Sequence, residues 1–223
     1  TGSGKTTLLN ILAGMIPCDD RVISIESKSE LRLSKKLEHL VRLVARPPDK
    51  EGKGEITIRD LVINSMRMRP DRVILGEVRG GESLDMLQAM NTGHDGSMCT
   101  IHANTPREAL VRLENMLAMS GVKLAPRAVR TQTASAINII VQISRMRDGV
   151  RRVNRLTEVV GMEGDIITMQ DLFLFDYGMG IDEAGMYKGH LKATGIRPAF
   201  SDHLENFGIQ LSPDLFHPEP FAR

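Results

Sequence analysis

The chain has 223 residues, 41% of them hydrophobic, with Lys and Arg so nearly matched by Asp and Glu that the formal net charge is +1. That composition describes an ordinary folded α/β-sized domain with a small appendage, and excludes a disordered chain or a strongly basic one built for nucleic acid. No apolar run approaches the ~20 residues that span a bilayer, no signal peptide is read, and two cysteines without ligand or redox spacing fit a reducing cytoplasm.

The organising stretch is the first: Thr1-Gly2-Ser3-Gly4-Lys5-Thr6-Thr7, followed by Leu8, Leu9, Ile11 and Leu12 in helical register. It reads as the end of a phosphate-binding loop, G-x-x-x-x-G-K-[ST], whose first glycine would fall two residues before Thr1, so the chain is expected to begin inside its own motif. Gly2 and Gly4 let backbone N–H groups turn onto a polyphosphate, and the helix N-terminus adds partial positive charge. Lys5 is placed to reach the β- and γ-phosphates of ATP, and Thr6 to offer its hydroxyl to Mg²⁺.

The first helix is expected to stop at Gly14 and Pro17. Val22, Ile23 and Ile25 then form a short strand ending in Glu26, with Glu30 four residues on. Strand ends are where open α/β sheets bind ligands; solvated loop acids are the equally weighted alternative. Leu40 to Val44 suggests another strand, and residues 47–55 a mobile loop. Thr57 to Asp60 reads as a capping box opening a helix to about Arg69, with Leu61, Val62, Ser65 and Met66 inward. Arg59, Ile63 and Arg67 share another face, either solvated or presenting a γ-phosphate sensor.

Val73-Ile74-Leu75-Gly76-Glu77 is an apolar strand closed by one acid, about seventy residues after the loop. An acid so placed in a phosphate-loop enzyme faces Mg²⁺ and the attacking water. A helix through Leu84, Leu87 and Met90 follows. Then comes a strand, Ser97 to Ile101, bracketed by His94 and His102, both candidates to approach a phosphate as donors or cations. Thr105-Pro106 opens a helix with Leu110, Leu113 and Leu117 inward, and another helix follows Pro126. Ile137, Ile139, Val141 and Ile143 alternate as a half-buried strand. Asp148-Gly149 reads as a hairpin turn, with Val153 to Val160 returning, a turn over residues 161–165, and a last strand from Ile166 to Phe175. Arg145, Arg147, Arg151, Arg152 and Arg155 crowd this hairpin as a solvated face or a partner-binding one. From Asp176 onward Gly and Pro are frequent and only Ser201 to Phe207 looks helical.

Thr1 to Thr7, Glu26 with Glu30, the segment from Arg67 to Glu82, and Thr92-Gly93-His94-Asp95-Gly96-Ser97 with Thr100-Ile101-His102-Ala103-Asn104 together resemble the secretion ATPases of the type II/type IV superfamily. They look most like the CpaF-like ATPase of the Tad (Flp) pilus system. The resemblance runs from Thr1 to about Phe175. It implies a RecA-like core over residues 1–175 with an extension over 176–223, and a homohexamer with ATP and Mg²⁺ between subunits. It also implies a separate N-terminal domain, expected to lie outside this sequence. The implied place is the cytoplasmic side of the inner membrane, the implied partners a membrane platform protein and, indirectly, pilins, with no direct nucleic-acid partner expected. In family terms Lys5 and Thr6 belong to Walker A, Glu26 and Glu30 to the acidic box, Glu77 to Walker B, and His94 and His102 to the histidine box. The chain departs from the family at Ser27, where a second acid is usual, and at Ile63, where arginine is frequent.

Overall fold

The computed structural model describes residues 2–33 and 37–218; the loop's Thr1 lies outside them. Helix α1 (Lys5–Ala13) leads into β1 (Arg21–Glu26), β2 (His39–Val44), α2 (Ile58–Met66), β3 (Arg72–Leu75), α3 (Glu82–Asn91), β4 (Met98–Cys99), α4 (Pro106–Ala118) and α5 (Pro126–Ala136). The strands β1 to β4 form a wholly parallel sheet in the order β2-β1-β3-β4. Six further elements follow among the described residues: β5 (Ile139–Arg145), β6 (Arg151–Glu163), β7 (Ile166–Phe175), β8 (Leu191–Ala193), α6 (Ser201–Glu205) and a single 3-10 turn (Pro213–Phe216). Strands β5 to β8 make an antiparallel sheet in sequence order.

The parallel sheet is buried on both faces, which is why β1 and β3 are nearly continuous apolar runs. Side chains alternate across it. Val22 and Ile74 pack with Leu9 and Ala13 of α1, whereas Ile23, Ile25, Val73 and Leu75 pack with Val62, Met86 and Leu110 of α2, α3 and α4. The second cluster continues into Val159 and Ile167, so one apolar core joins the two sheets.

Local chemistry sets the helix starts. Thr57 Oγ1 accepts from the Asp60 amide at 3.1 Å while Asp60 accepts from the Thr57 amide at 2.8 Å, the reciprocal pair expected for α2. In α4, Thr105 caps Glu108, but the Glu108 carboxylate reaches one residue further back, to the Asn104 amide.

Some elements depart from expectation. The strand expected over Ser97 to Ile101 is a two-residue ladder, because β4 pairs along one edge only and Ser97 is drawn into a turn by His94 O. Strand β6 runs through Gly161 to Glu163: the register shift between Val159 and Gly161 leaves Val160 as the extra residue of a bulge while Gly161 pairs with Thr168, and Gly164-Asp165 makes the turn. The segment expected to be a mobile loop is hydrogen-bonded, with Arg46 and Ile56 exchanging both backbone bonds and Arg46 Nε donating to Gly54 O at 2.6 Å. Beyond Asp176 the chain adds β8 to β7, sets Phe216 against Phe173, and brings the Ala199 and Phe200 amides onto the buried Glu158 carboxylate.

Candidate functional site

In a parallel sheet every strand ends on the same edge, and that edge gathers most of the acids and the loop. Gly4, at φ 100°, is the N-cap of α1, and Gly2 has φ 77°, so the loop needs residues free of a Cβ penalty at both positions. Lys5 and Thr6 open the helix directly behind them. Among the described residues Lys5 makes no ion pair, leaving its ammonium available to an anion. A cavity of about 500 Å³ opens beside the helix, lined by Thr6, Thr7, Asn10, Ile11, Glu30 and Arg32. The glycine cradle, the helix N-terminus and the free ammonium fit a polyphosphate.

Glu26 ends β1 with its side chain buried at 4% exposure. Its Oε1 accepts from the Glu30 amide at 2.9 Å and the Leu31 amide at 2.7 Å. The carboxylate therefore turns the chain out of the strand and sets Glu30 on the cavity wall. Gly76 lies alongside, where an added Cβ would sit 3.3 Å from Glu26 Cγ. Of the two acids, Glu30 is the exposed one.

Glu77 follows β3 and is held through its neighbours. Gly76 N donates to Ile25 O at 2.9 Å, Thr100 Oγ1 donates to Gly76 O at 2.6 Å, and Val78 N donates to Thr100 O at 2.8 Å. Thr100 thus grips the backbone on both sides of Glu77. The Glu77 carboxylate, partly exposed, accepts from Arg79 Nε at 2.8 Å. That hydrogen bond, then the Glu77 charge, holds the Arg79 guanidinium protonated to higher pH than usual, with Glu30 and Glu82 adding to it.

His102 is exposed beyond β4. Its imidazole titrates below the ordinary histidine range because positive charge lies near it, Lys5 foremost among the described residues. Desolvation and Arg112 add to this, and Glu77 opposes it. Lys5 and Glu77 therefore both sit within electrostatic reach of His102. Among the described residues no group of three or more His, Cys, Asp or Glu side chains could hold a metal ion. Thr6 and Glu77 are oxygen donors of the kind that Mg²⁺ takes beside phosphate.

Two sequence candidates are not brought to this edge, and a third is engaged by other partners. His94 precedes β4 and so lies at the opposite one, its Nδ1 2.9 Å from Ala89 O at the end of α3. Arg67 is exposed at the C-cap of α2, on that same far side, next to Met68, whose carbonyl accepts from Arg21 Nε at the start of β1. Arg59 is committed elsewhere: Nε donates to Asp85 Oδ2 at 2.8 Å and Nη1 to Ser120 O at 3.0 Å, clamping α2 to α3 and to the end of α4.

Sequence reasoning missed two arginines. Arg79 sits two residues from Glu77 and could have been found as the nearest cation to the strand-end acid. Arg151 meets the phosphate loop from the hairpin, its Nε donating to Gly2 O at 2.7 Å across 149 positions of sequence. No local signal separates it from the other four hairpin arginines.

A parallel sheet with a glycine loop and Lys-Thr at a helix N-terminus, facing an acid at a neighbouring strand end, defines a phosphate-loop α/β nucleotide-binding protein of RecA-like architecture. The family described as Type II/IV secretion system protein matches residues 1–164, and the chain belongs to it. It is 41% identical over 187 residues to a Mycobacterium tuberculosis protein named provisionally for conjugal transfer, covering 84% of this chain and 52% of that one. It is 39% identical over 155 residues to the type IV secretion system protein PtlH of Bordetella pertussis, covering 68% of this chain and 45% of that one. The VirB11 ATPase of the Brucella suis type IV secretion system, solved in complex with sulphate, shares the fold with a TM-score of 0.62 and 31% identity, over 70% of this chain and 45% of that one. The chain spans about half the length of the curated relatives it matches. Among the described residues no helix is long and apolar enough to cross a membrane.

Proposed function

We propose that the chain is the ATP-hydrolysing part of a CpaF-like secretion ATPase, a motor powering Tad (Flp) pilus assembly. In this reading residues 1–175 are the ATPase domain and 176–223 an extension packed on it. Six copies form a ring on the cytoplasmic face of the inner membrane, acting on a platform protein and through it on pilins. The observation that supports it most is the meeting of Lys5, Thr6, Glu77 and His102 at one sheet edge, across strands whose spacing in sequence is wide. Lys5 binds the β- and γ-phosphates, Thr6 and Glu77 would hold Mg²⁺ partly through water, Glu77 orients the attacking water, and His102 donates to the γ-phosphate. Bound Mg²⁺ neutralises phosphate charge. Within one chain His94, Arg59 and Arg67 take no part.

The test is Glu77→Gln in the full-length protein. ATP affinity is expected to stay within about twofold while turnover falls by about two orders of magnitude or more, as for an interaction made mainly in the transition state. Unchanged turnover would remove Glu77 from the chemistry. A nucleotide-binding ring component with little hydrolysis is the second reading. One observation favours it: α2 brings no guanidinium to the loop, since Arg59 is tied to Asp85 and Ile63, where the resembling family often has arginine, is exposed. Wild-type turnover no higher than the background of Lys5→Ala would select it.

A further inference from the structure

The phosphate loop is held from outside by the β5–β6 hairpin. Arg151, the first residue of β6, donates through Nε to Gly2 O, and its stem covers the face of Gly4. A Cβ placed on Gly4 would come within 3.2 Å of Arg151 Cδ and 3.3 Å of Ile143 Cδ1, so loop and hairpin are in full contact. The hairpin is itself braced. Met146 N donates to Val150 O at 2.9 Å, and Gln142 Nε2 donates to Ala103 O, next to His102, at 3.3 Å. The Asp148 side chain, shielded from solvent, accepts from Arg152 Nη1 at 2.7 Å and from the Tyr187 amide of the tail at 3.1 Å. Arg152 lies over the Phe175 ring, which packs edge-on with Tyr177 and Tyr187.

The geometry points to Arg151 as a positioning residue for the phosphate loop, one that fixes the loop's amides for nucleotide before nucleotide arrives. The peptide joining Gly2 to Ser3 is planar and trans, so its C=O and N–H point in opposite directions. Pinning Gly2 O outward on the guanidinium turns the Ser3 N–H the other way, toward the side where an anion would sit. Ordering a loop residue costs conformational entropy, a cost that nucleotide binding must otherwise meet. Arg151 spares the ligand part of it. The tail belongs to the same device, because Asp148 and Arg152 hang the hairpin on Tyr187 and Phe175.

The inference rests on the loop's being the nucleotide site, so the experiment carries a control for that. In the full-length protein with Mg²⁺, equilibrium titrations with a fluorescent ATP analogue and competition by inorganic tripolyphosphate are compared for wild type, Arg151→Met, Arg151→Lys and Lys5→Ala. Methionine keeps an apolar stem over Gly4 and removes the N–H. Arg151→Met is expected to weaken both ligands equally, by about tenfold, the ordering cost of a loop residue that Arg151 otherwise spares the ligand. The turnover number at saturation and the unfolding temperature without nucleotide should stay unchanged, and Arg151→Lys should recover part of the affinity. Affinity within about twofold of wild type in Arg151→Met, with binding abolished in Lys5→Ala, overturns the proposal. So does a loss that appears as lower turnover number and lower unfolding temperature at unchanged affinity, which would make Arg151 merely structural. Binding that survives Lys5→Ala refutes the nucleotide site itself, and the proposal with it.

Discussion

Replacing Glu26 separates two roles that one carboxylate can hold, a chain turn and a share in chemistry. In the structure Oε1 accepts two backbone amides, of Glu30 and of buried Leu31, while the side chain is almost wholly enclosed. Glu26→Ala removes both acceptors. A hydrogen bond to a charged group is worth ~1.5–3 kcal/mol, and an enclosed amide left without a partner costs ~1–3 kcal/mol. The Glu30 amide, only part-buried, can turn to water, so the total should be about 2–4 kcal/mol rather than the sum. For a domain of this size ~1 kcal/mol moves the unfolding temperature by about 2–4 °C, which makes the expected drop about 5–15 °C. Glu26→Gln keeps an oxygen able to accept both amides and should lose less than about 1 kcal/mol. Thermal unfolding followed by circular dichroism, without nucleotide, measures both. Turnover of Glu26→Gln in the full-length protein then reads the second role alone: full activity assigns Glu26 to the turn, and a loss without destabilisation assigns it to the chemistry. Equal destabilisation by Ala and Gln, or less than about 1 kcal/mol for Ala, would refute the account of the two amide bonds.

Two other perturbations test neighbouring assignments. Arg59→Ala leaves Asp85, buried to 7% exposure, without its guanidinium and Ser120 O without a donor, and should lower stability by about 1–3 kcal/mol in chemical unfolding. A stable variant with reduced turnover would instead return Arg59 to the catalytic set. Exposed Cys18 should alkylate readily at pH 8, whereas Cys99, whose thiol burial pushes up to about 11, should stay unlabelled, so intact mass should show one adduct. Because the folded value lies above the unfolded ~8.5, the stability that the protonated Cys99 thiol contributes is complete below that pH and is lost as pH rises toward 11. Two adducts at pH 8, or no alkaline loss of stability, would contradict the buried thiol.

The candidate residues divide by how far apart in sequence the pieces of the site lie. Lys5 and Thr6 were legible because the loop and its helix are contiguous, and Glu77 because a short apolar run closed by an acid is itself a local pattern. The two histidines looked equivalent, since both flank the same strand. Parallel topology removes the equivalence: His94 precedes β4 and His102 follows it, so the two stand at opposite edges of the sheet. The helical spacing of Arg59, Ile63 and Arg67 was likewise real, but spacing says only that side chains share a face, not what lies opposite it. Asp85 and the end of α4 lie opposite Arg59. The tail was opaque because β8 is three residues long and Pro213–Phe216 a single turn, too short for any periodicity to register.

The same division explains why the strand-end acid needed the structure for its placement but not for its discovery. Nothing near Glu77 in sequence says that Thr100 will grip Gly76 O and Val78 N, because that grip depends on β4 lying beside β3 with Cys99 opposite Leu75. Residues that carry charge to a strand end can be read from a local pattern. Those that hold the charge still, Thr100 beneath Glu77 and Arg151 outside Gly2, come from chain segments that meet only in the fold. A site assembled from strand ends is therefore most exposed to change at positions with no chemical signature of their own.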